Sequence, residues 1–166
     1  MIKRGVFLAA SLVFAGNFLL GVRAVEAQEV TPPPEVRFIA GAVKTYLDEP
    51  AQPAVGFGFR IAITPRLSLE PEVLRVSGQR FESWHILGNV RYSLSRNVGV
   101  TPYFVVGAGV NREVDTAINY HSTVAAWNAG FGVRIPVSNR VFISPEGRLG
   151  LNAFPRLTVS VGVALR

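Results

Sequence analysis

From residue 36 onward, apolar and polar positions alternate with a period of two, which is the repeat of a β-strand. The clearest stretch is 55–63, where valine, phenylalanine and isoleucine alternate with glycine, arginine and alanine. Residues 157–165 repeat the pattern with leucine and valine against threonine, serine, glycine and alanine. Because proline, asparagine, aspartate, glycine and serine separate the alternating segments, the pattern predicts strands joined by turns. Eight strands are predicted, at 36–47, 53–63, 67–77, 82–94, 102–112, 122–135, 140–150 and 156–166.

The face opposite the bulky apolar side chains distinguishes a membrane barrel from a soluble sandwich. Here that face is rich in glycine and alanine with isolated arginines and glutamates, which suits the crowded interior of a narrow barrel. The charged fraction of 17% lies below the roughly 25% of soluble domains. Most predicted strands also have the length of about 9–11 residues that a tilted strand needs to cross hydrocarbon. We therefore expect an all-β fold, an eight-stranded antiparallel up-and-down transmembrane β-barrel.

The amino-terminal segment predicts export. Lys3 and Arg4 precede an apolar stretch at 6–22. Val25-Glu26-Ala27 then has short side chains at its first and third places, so a signal peptidase is expected to cut after Ala27. An uncleaved membrane helix is the alternative, because a spanning helix needs about 20 apolar residues. Removing the leader lowers the formal charge from +6 to +4. The expected domains are a signal peptide at 1–27, a proline-rich lead-in at 28–35 and an outer-membrane β-barrel at 36–166.

Composition argues against several classes of function. The arginines are scattered singly, whereas a nucleic-acid-binding face gathers its positive charge in a stripe. The absence of cysteine removes disulfides, thiolate catalysis and cysteine metal sites. No repeated histidine or carboxylate spacing suggests a metal site. We expect no nucleic-acid partner, no metal and no cofactor.

A segment of the sequence recurs after 74 positions. Residues 56–61 read GFGFRI and residues 130–135 read GFGVRI, and at the same offset Arg66 matches Arg140. More weakly, 38–42 resembles 104–108. A four-strand unit used twice gives eight strands, an even number that places both barrel ends of the chain on the periplasmic side. Chance similarity among strands of biased composition is the alternative.

The leader, the Gly-aromatic-Gly alternation and the strand openings Thr101-Pro102-Tyr103 and Ser144-Pro145-Glu146 resemble the small outer-membrane β-barrel family, the OmpA/OmpX-type barrels. The resemblance covers essentially all of the chain after the leader. It implies location in the Gram-negative cell outer membrane, with outer-membrane lipid, lipopolysaccharide and the barrel-assembly machinery as partners. One departure is the end of the chain, Leu165-Arg166, where such barrels usually carry an aromatic residue read by that machinery. The resemblance identifies neither an activity nor an oligomeric state.

Strand parity predicts a structural network of charged side chains in the lumen. The turn around Pro65 would set Arg60 opposite Glu70, and the repeated turn would set Arg134 diagonal to Glu146. Acid–base catalysis by the clustered carboxylates of Glu70 and Glu72 is the alternative, but nearby arginines favour ion pairs. An eight-stranded barrel is just wide enough to be filled by side chains, so no open pore is expected. The predicted lumen residues are Arg60, Glu70, Glu72, Arg91, Arg134, Glu146 and Arg148.

The outward face carries aromatic residues near the predicted strand ends. Such residues form girdles at the two membrane interfaces of outer-membrane barrels. The expected interface aromatics are Trp84, Tyr92, Tyr103 and Trp127. Arg80, Arg112 and Arg156 are expected near the outer loops, where they would meet lipid phosphates or water.

His121 and Ser122 raise the alternative of a lipid hydrolase, and they fall in the predicted longest outer loop, 111–122. Neighbouring residues of a strand face opposite sides, so only a loop would let the pair share a proton. The other candidate base, His85, is expected to fill the lumen. The sequence therefore predicts a non-enzymatic outer-membrane protein with a structural, adhesive or lipid-interacting role. A lipid-modifying enzyme (lipid A deacylase or acyltransferase-like) and a soluble lipocalin-like binding barrel are the alternatives.

Overall fold

The computed structural model describes residues 31–44, 50–78, 82–95, 99–115 and 120–165. Its strands are β1 (Glu35–Val43), β2 (Gln52–Ala62), β3 (Leu67–Ser77), β4 (Glu82–Ser93), β5 (Thr101–Asp115), β6 (Tyr120–Pro136), β7 (Val141–Leu151) and β8 (Arg156–Ala164). Each strand pairs antiparallel with its sequence neighbours, and β8 pairs with β1 to close the barrel. The predicted eight-stranded up-and-down barrel is confirmed. We call the end with the start of β1 and the end of β8 the terminal end, and the opposite end the loop end.

The hairpin between β5 and β6 departs most from the predicted boundaries. The predicted loop at 111–122 is wrong, because cross-strand pairing continues from Asn111↔Val124 to Asp115↔Tyr120. Strand β6 also extends beyond its other neighbour, since its pairs with β7 begin at Trp127. Few bulky apolar residues mark the alternation in this stretch. The sequence pattern of a strand therefore ends before the cross-strand pairing does.

The start of the barrel also differs slightly from the prediction. Strand β1 begins at Glu35, so this residue belongs to the barrel and not to the lead-in. The expected signal peptide at 1–27 lies outside the described residues, as do 28–30 and Arg166. Within the described ranges, no helix is long and apolar enough to cross a bilayer.

The two faces of the sheet have the polarity of a membrane barrel. On β2, Phe57 points outward and is 55% exposed, whereas Arg60 points inward and is 4% exposed. Strand β8 repeats this, with Val161 exposed and Ser160 buried. Soluble proteins rarely expose contiguous apolar surface of this extent, whereas a lipid-embedded barrel must. The arrangement is the reverse of a soluble lipocalin-like barrel, which keeps its apolar side chains inside.

The sequence repeat corresponds to a repeated turn at the terminal end. The Leu67 N–H donates to Thr64 Oγ1 at 3.0 Å, and the Val141 N–H donates to Ser138 Oγ at 3.1 Å. Backbone bonds of 2.8 and 2.9 Å close the two turns in the same way. The turns joining β2 to β3 and β6 to β7 are therefore alike in hydrogen bonding as well as in sequence.

Candidate functional site: the charged lumen

Among the described residues, ten charged side chains are joined by ion pairs inside the barrel, six arginines and four glutamates. All seven predicted lumen residues point inward, although Arg134 keeps 19% of its side chain exposed. Sequence reasoning missed three members. These are Glu35, Arg37 and Arg156. Alternation at the start of β1 would have found the first two, because Glu35 and Arg37 alternate with the apolar Val36 and Phe38.

Towards the loop end, two arginines share one carboxylate. Arg156 Nη2 bonds to Glu72 Oε1, and Arg148 Nη2 lies 3.1 Å from Glu72 Oε2. Arg148 then continues the chain, because its Nε lies 2.6 Å from Glu146 Oε1. The Tyr103 hydroxyl donates to the other oxygen of Glu146 at 3.0 Å. Arg148 thus bridges Glu72 and Glu146, which occupy equivalent positions in the 74-residue repeat.

In the middle of the lumen, Glu70 binds three arginines. Arg91 Nε lies 2.8 Å and Arg60 Nε lies 3.8 Å from Glu70 Oε1, and Arg37 Nη1 donates to Glu70 Oε2. Arg91 also approaches Glu146, with 3.9 Å between Nη2 and Oε2. The middle of the lumen is therefore linked to the loop-end group through Arg91.

At the terminal end, Glu35 Oε1 accepts from Arg60 Nη1 at 3.0 Å and from Arg134 Nη2. Arg134 lies diagonal to Glu146 as predicted, because Gly132 pairs with Glu146. The two side chains do not form an ion pair, since Glu146 is held by Arg148 and Arg134 extends towards Glu35. Arg134 also stacks on Phe142, with 3.2 Å between the guanidinium carbon and the ring centroid. Arg60 bonds Glu35 more closely than its predicted partner Glu70.

Together these contacts form one chain in which guanidinium and carboxylate groups alternate. It begins with Arg156 at the loop end and finishes with Arg134 at the terminal end, and Arg37 is a branch. Because both ends and the Arg37 branch are arginines, six cations of this ion-pair chain face four anions, a formal excess of two positive charges. Burying an ion costs several kcal/mol unless its partners and hydrogen bonds replace water. In the ion-pair chain, partners and hydrogen bonds replace water more fully around the carboxylates than around the arginines.

The predicted interface aromatics divide into three that face outward and one that does not. Trp84 and Trp127 are exposed, and half-buried Tyr92 has its hydroxyl 3.4 Å from Arg66 Nη1. The prediction for Tyr103 is wrong, because its side chain is fully buried in the lumen, with the Arg91 guanidinium carbon 3.6 Å from its ring centroid. The sequence resemblance between 38–42 and 104–108 could have predicted the correct side for Tyr103. Phe38 faces outward, so its counterpart Phe104 does too, and Tyr103 must face inward.

The predicted rim arginines also divide. Arg156 lies inside the barrel, so its prediction as a rim residue is wrong. Arg112 is exposed, and Arg80 lies outside the described residues. Arg112 is opposite Trp84, which is opposite Arg75, so the three form an outward-facing row across β3, β4 and β5.

His121 and Ser122 do not form a catalytic pair. Both lie in β6, opposite Val114 and Glu113, so their side chains leave the strand on opposite faces. His85 is buried in the lumen, with its ring centroid 6.0 Å from that of Phe154. In the described part of the chain, no three histidine or carboxylate side chains are placed to hold a metal ion.

Residues 152–155, between β7 and β8, cover the loop end of the lumen. Ala153 is buried against Leu87 and Ala126. Phe154 packs on a second buried apolar cluster. That cluster contains Ile39, Val43, Ala54, Leu74 and Val76. Asn152 and Phe154 have φ angles of 57° and 46°, a left-handed conformation uncommon outside glycine.

No family model and no curated protein matches this chain. Among solved structures it is similar to Neisserial surface protein A, with a TM-score of 0.60 and 17% identity over 80% of this chain and 96% of that chain. The N-terminal β-barrel domain of Pseudomonas aeruginosa OprF gives 0.58 and 16% over 79% and 97%. A de novo designed transmembrane β-barrel gives 0.56 and 18% over 84% and 100%. The chain therefore has the fold of the small eight-stranded outer-membrane β-barrels.

Proposed function

We propose that this chain is an integral outer-membrane protein whose barrel is a closed structural anchor in contact with lipid. The observation that carries the proposal is the combination of an apolar exterior with a lumen filled by one chain of ion pairs. Exposing Phe57 and its outward-facing neighbours to water would cost free energy. Exposing the arginines and glutamates of the lumen to hydrocarbon would cost free energy as well. A lumen closed by side chains supports anchoring rather than transport.

The outward row of Arg75, Trp84 and Arg112 supports a lipid-interacting role. Arg75 lies over Trp84 at 5.8 Å, and Glu82 bonds both side chains at 2.9 Å. Tryptophan is enriched at membrane interfaces, where lipid headgroups carry phosphates. With both barrel ends of the chain in the periplasm, this row would lie in the outer leaflet. The proposed partners there are outer-membrane lipid and lipopolysaccharide, with the barrel-assembly machinery acting earlier, during insertion.

Refolding in detergent tests the anchor proposal. We expect the folded chain to migrate differently on gels before and after boiling, to fractionate with outer membranes and to give no steady current in planar bilayers. Recovery in the periplasmic extract would refute membrane insertion, whereas a steady current would refute closure only.

We propose no catalytic role for the outer hairpin. The double variant His121→Ala and Ser122→Ala should leave the acylation of outer-membrane lipid unchanged, because the two side chains lie on opposite faces of β6. Mass spectrometry of extracted lipid, with the wild-type chain and an empty-vector strain as controls, measures this. A loss of modified lipid in the double variant would instead favour the lipid-modifying alternative.

A further inference from the structure

The guanidinium of Arg156 has donors left over at the loop end of the lumen. Its Nη2 is bonded to Glu72, but Nε and Nη1 have no hydrogen-bond partner although the side chain is only 2% exposed. Glu72 has little capacity left for them, because it also accepts from Arg148 Nη1 and Nη2 at 3.3 and 3.1 Å. A buried donor without an acceptor costs free energy, and a charged donor costs more than a neutral one. An additional acceptor at this edge would remove that cost.

Asn128 supplies a neutral donor near the same group. Its Oδ1 accepts from Arg148 Nη1 at 3.2 Å, so the orientation of the amide is set by a cation. The Nδ2 group must therefore donate, and it is buried without a partner. Arg148 Nη1 contacts both Asn128 and Glu72, which places the free amide close to the pair that Glu72 makes with Arg156.

His85 borders the same place. It is fully buried, neither ring nitrogen has a hydrogen-bond partner, and its ring centroid lies 6.0 Å from that of Phe154, two residues before Arg156. A neutral imidazole always carries one N–H donor. The opposite residue, Asn111, has an unpartnered Oδ1, so an acceptor is also present on the β5 side.

We propose that the lumen binds one small inorganic anion, of the chloride class, on the Nε and Nη1 edge of Arg156, with Asn128 and His85 as further donors. The anion offsets part of the positive excess of the ion-pair chain. The apolar cover at 152–155 keeps bulk water from the site, and an anion–guanidinium contact is stronger at low dielectric. The neighbouring Glu72 carboxylate and the cover disfavour large or multiply charged oxyanions.

Anion-dependent stability of the refolded full chain tests this proposal. Thermal unfolding in uncharged detergent is followed in sodium chloride, sodium sulfate and sodium gluconate at equal ionic strength. We expect chloride at about 100-fold above its Kd to raise the midpoint by roughly 5–10 °C over gluconate, with sulfate resembling gluconate. The chloride effect should vanish in Arg156→Gln and persist in Arg140→Gln, which removes the same charge from an exposed turn. Equal midpoints in the three salts, or the same effect in both variants, would overturn the proposal.

A direct measurement on the wild-type chain covers the case in which Arg156→Gln does not fold. Crystals grown in bromide should show an anomalous peak in contact with the Arg156 guanidinium. Bromide found only on exposed arginines, or a water molecule at the Arg156 edge, would refute the anion site. Neither outcome bears on whether the barrel is a membrane anchor, because that claim depends on the exterior.

Discussion

Replacing Glu72 with glutamine tests whether the ion-pair chain holds the barrel together. The change keeps the side-chain volume nearly constant but removes the carboxylate that binds both Arg148 and Arg156. The Arg148 and Arg156 side chains are 0% and 2% exposed, so these guanidiniums have no access to water in place of Glu72. The formal positive excess of the lumen would rise by one charge.

The expected cost follows from which contacts remain. Arg148 keeps Glu146 at 2.6 Å and Asn89 Oδ1 at 2.7 Å, whereas Arg156 loses its ion pair with Glu72. Breaking a buried pair by removing one partner costs about 3–5 kcal/mol, because the other charge stays buried and uncompensated. We expect the free energy of unfolding of Glu72→Gln to fall by about 3–5 kcal/mol, mainly through Arg156.

Urea titration in detergent, followed by the gel mobility of folded and unfolded bands, measures this difference. The matched control is Glu82→Gln, because Glu82 binds Arg75 at 2.9 Å on the exterior, with side chains 40% and 48% exposed. Water and salt screen such a pair, so we expect no measurable shift for the control. Equal losses in the two variants, or an unchanged Glu72→Gln, would refute the view that the lumen behaves as a water-poor interior.

Five further substitutions test the sheet, its exterior and its cover. Gly56→Ala should destabilise the barrel by about 1–3 kcal/mol in urea titration, because a Cβ there would lie 2.1 Å from the Val73 carbonyl oxygen; Gly88→Ala, with no atom nearer than 3.9 Å, should be neutral. Phe57→Arg should cost about 2–4 kcal/mol in lipid vesicles, and an unchanged stability would refute its contact with lipid. Asn152→Gly should be tolerated at φ 57°, whereas Asn152→Val should lower the thermal midpoint; equal midpoints would contradict a strained cover.

The alternation of side chains was sufficient to predict the direction in which most residues point. A strand has a period of two whatever it pairs with, so Phe57 outside and Arg60 inside follow from local sequence. Tyr103 shows where this reasoning fails. Tyrosine suits both a membrane interface and a polar lumen, and the run of bulky residues at 103–106 gives little contrast between the two faces of β5. The register with β4 and β6 decides its side, and Gly132 leaves the room that its ring occupies.

Sequence by itself determined the number of strands, the up-and-down order and the inverted polarity of this barrel, because these depend on residues close together in the chain. Only the tertiary structure decided which arginine binds which glutamate. The Arg134–Glu35 and Arg156–Glu72 pairs join residues 99 and 84 positions apart. Their partners meet across the lumen only after β8 has closed onto β1 and the strands have taken their relative heights. Long, flexible arginine side chains then pair with whichever carboxylate that closure brings within reach.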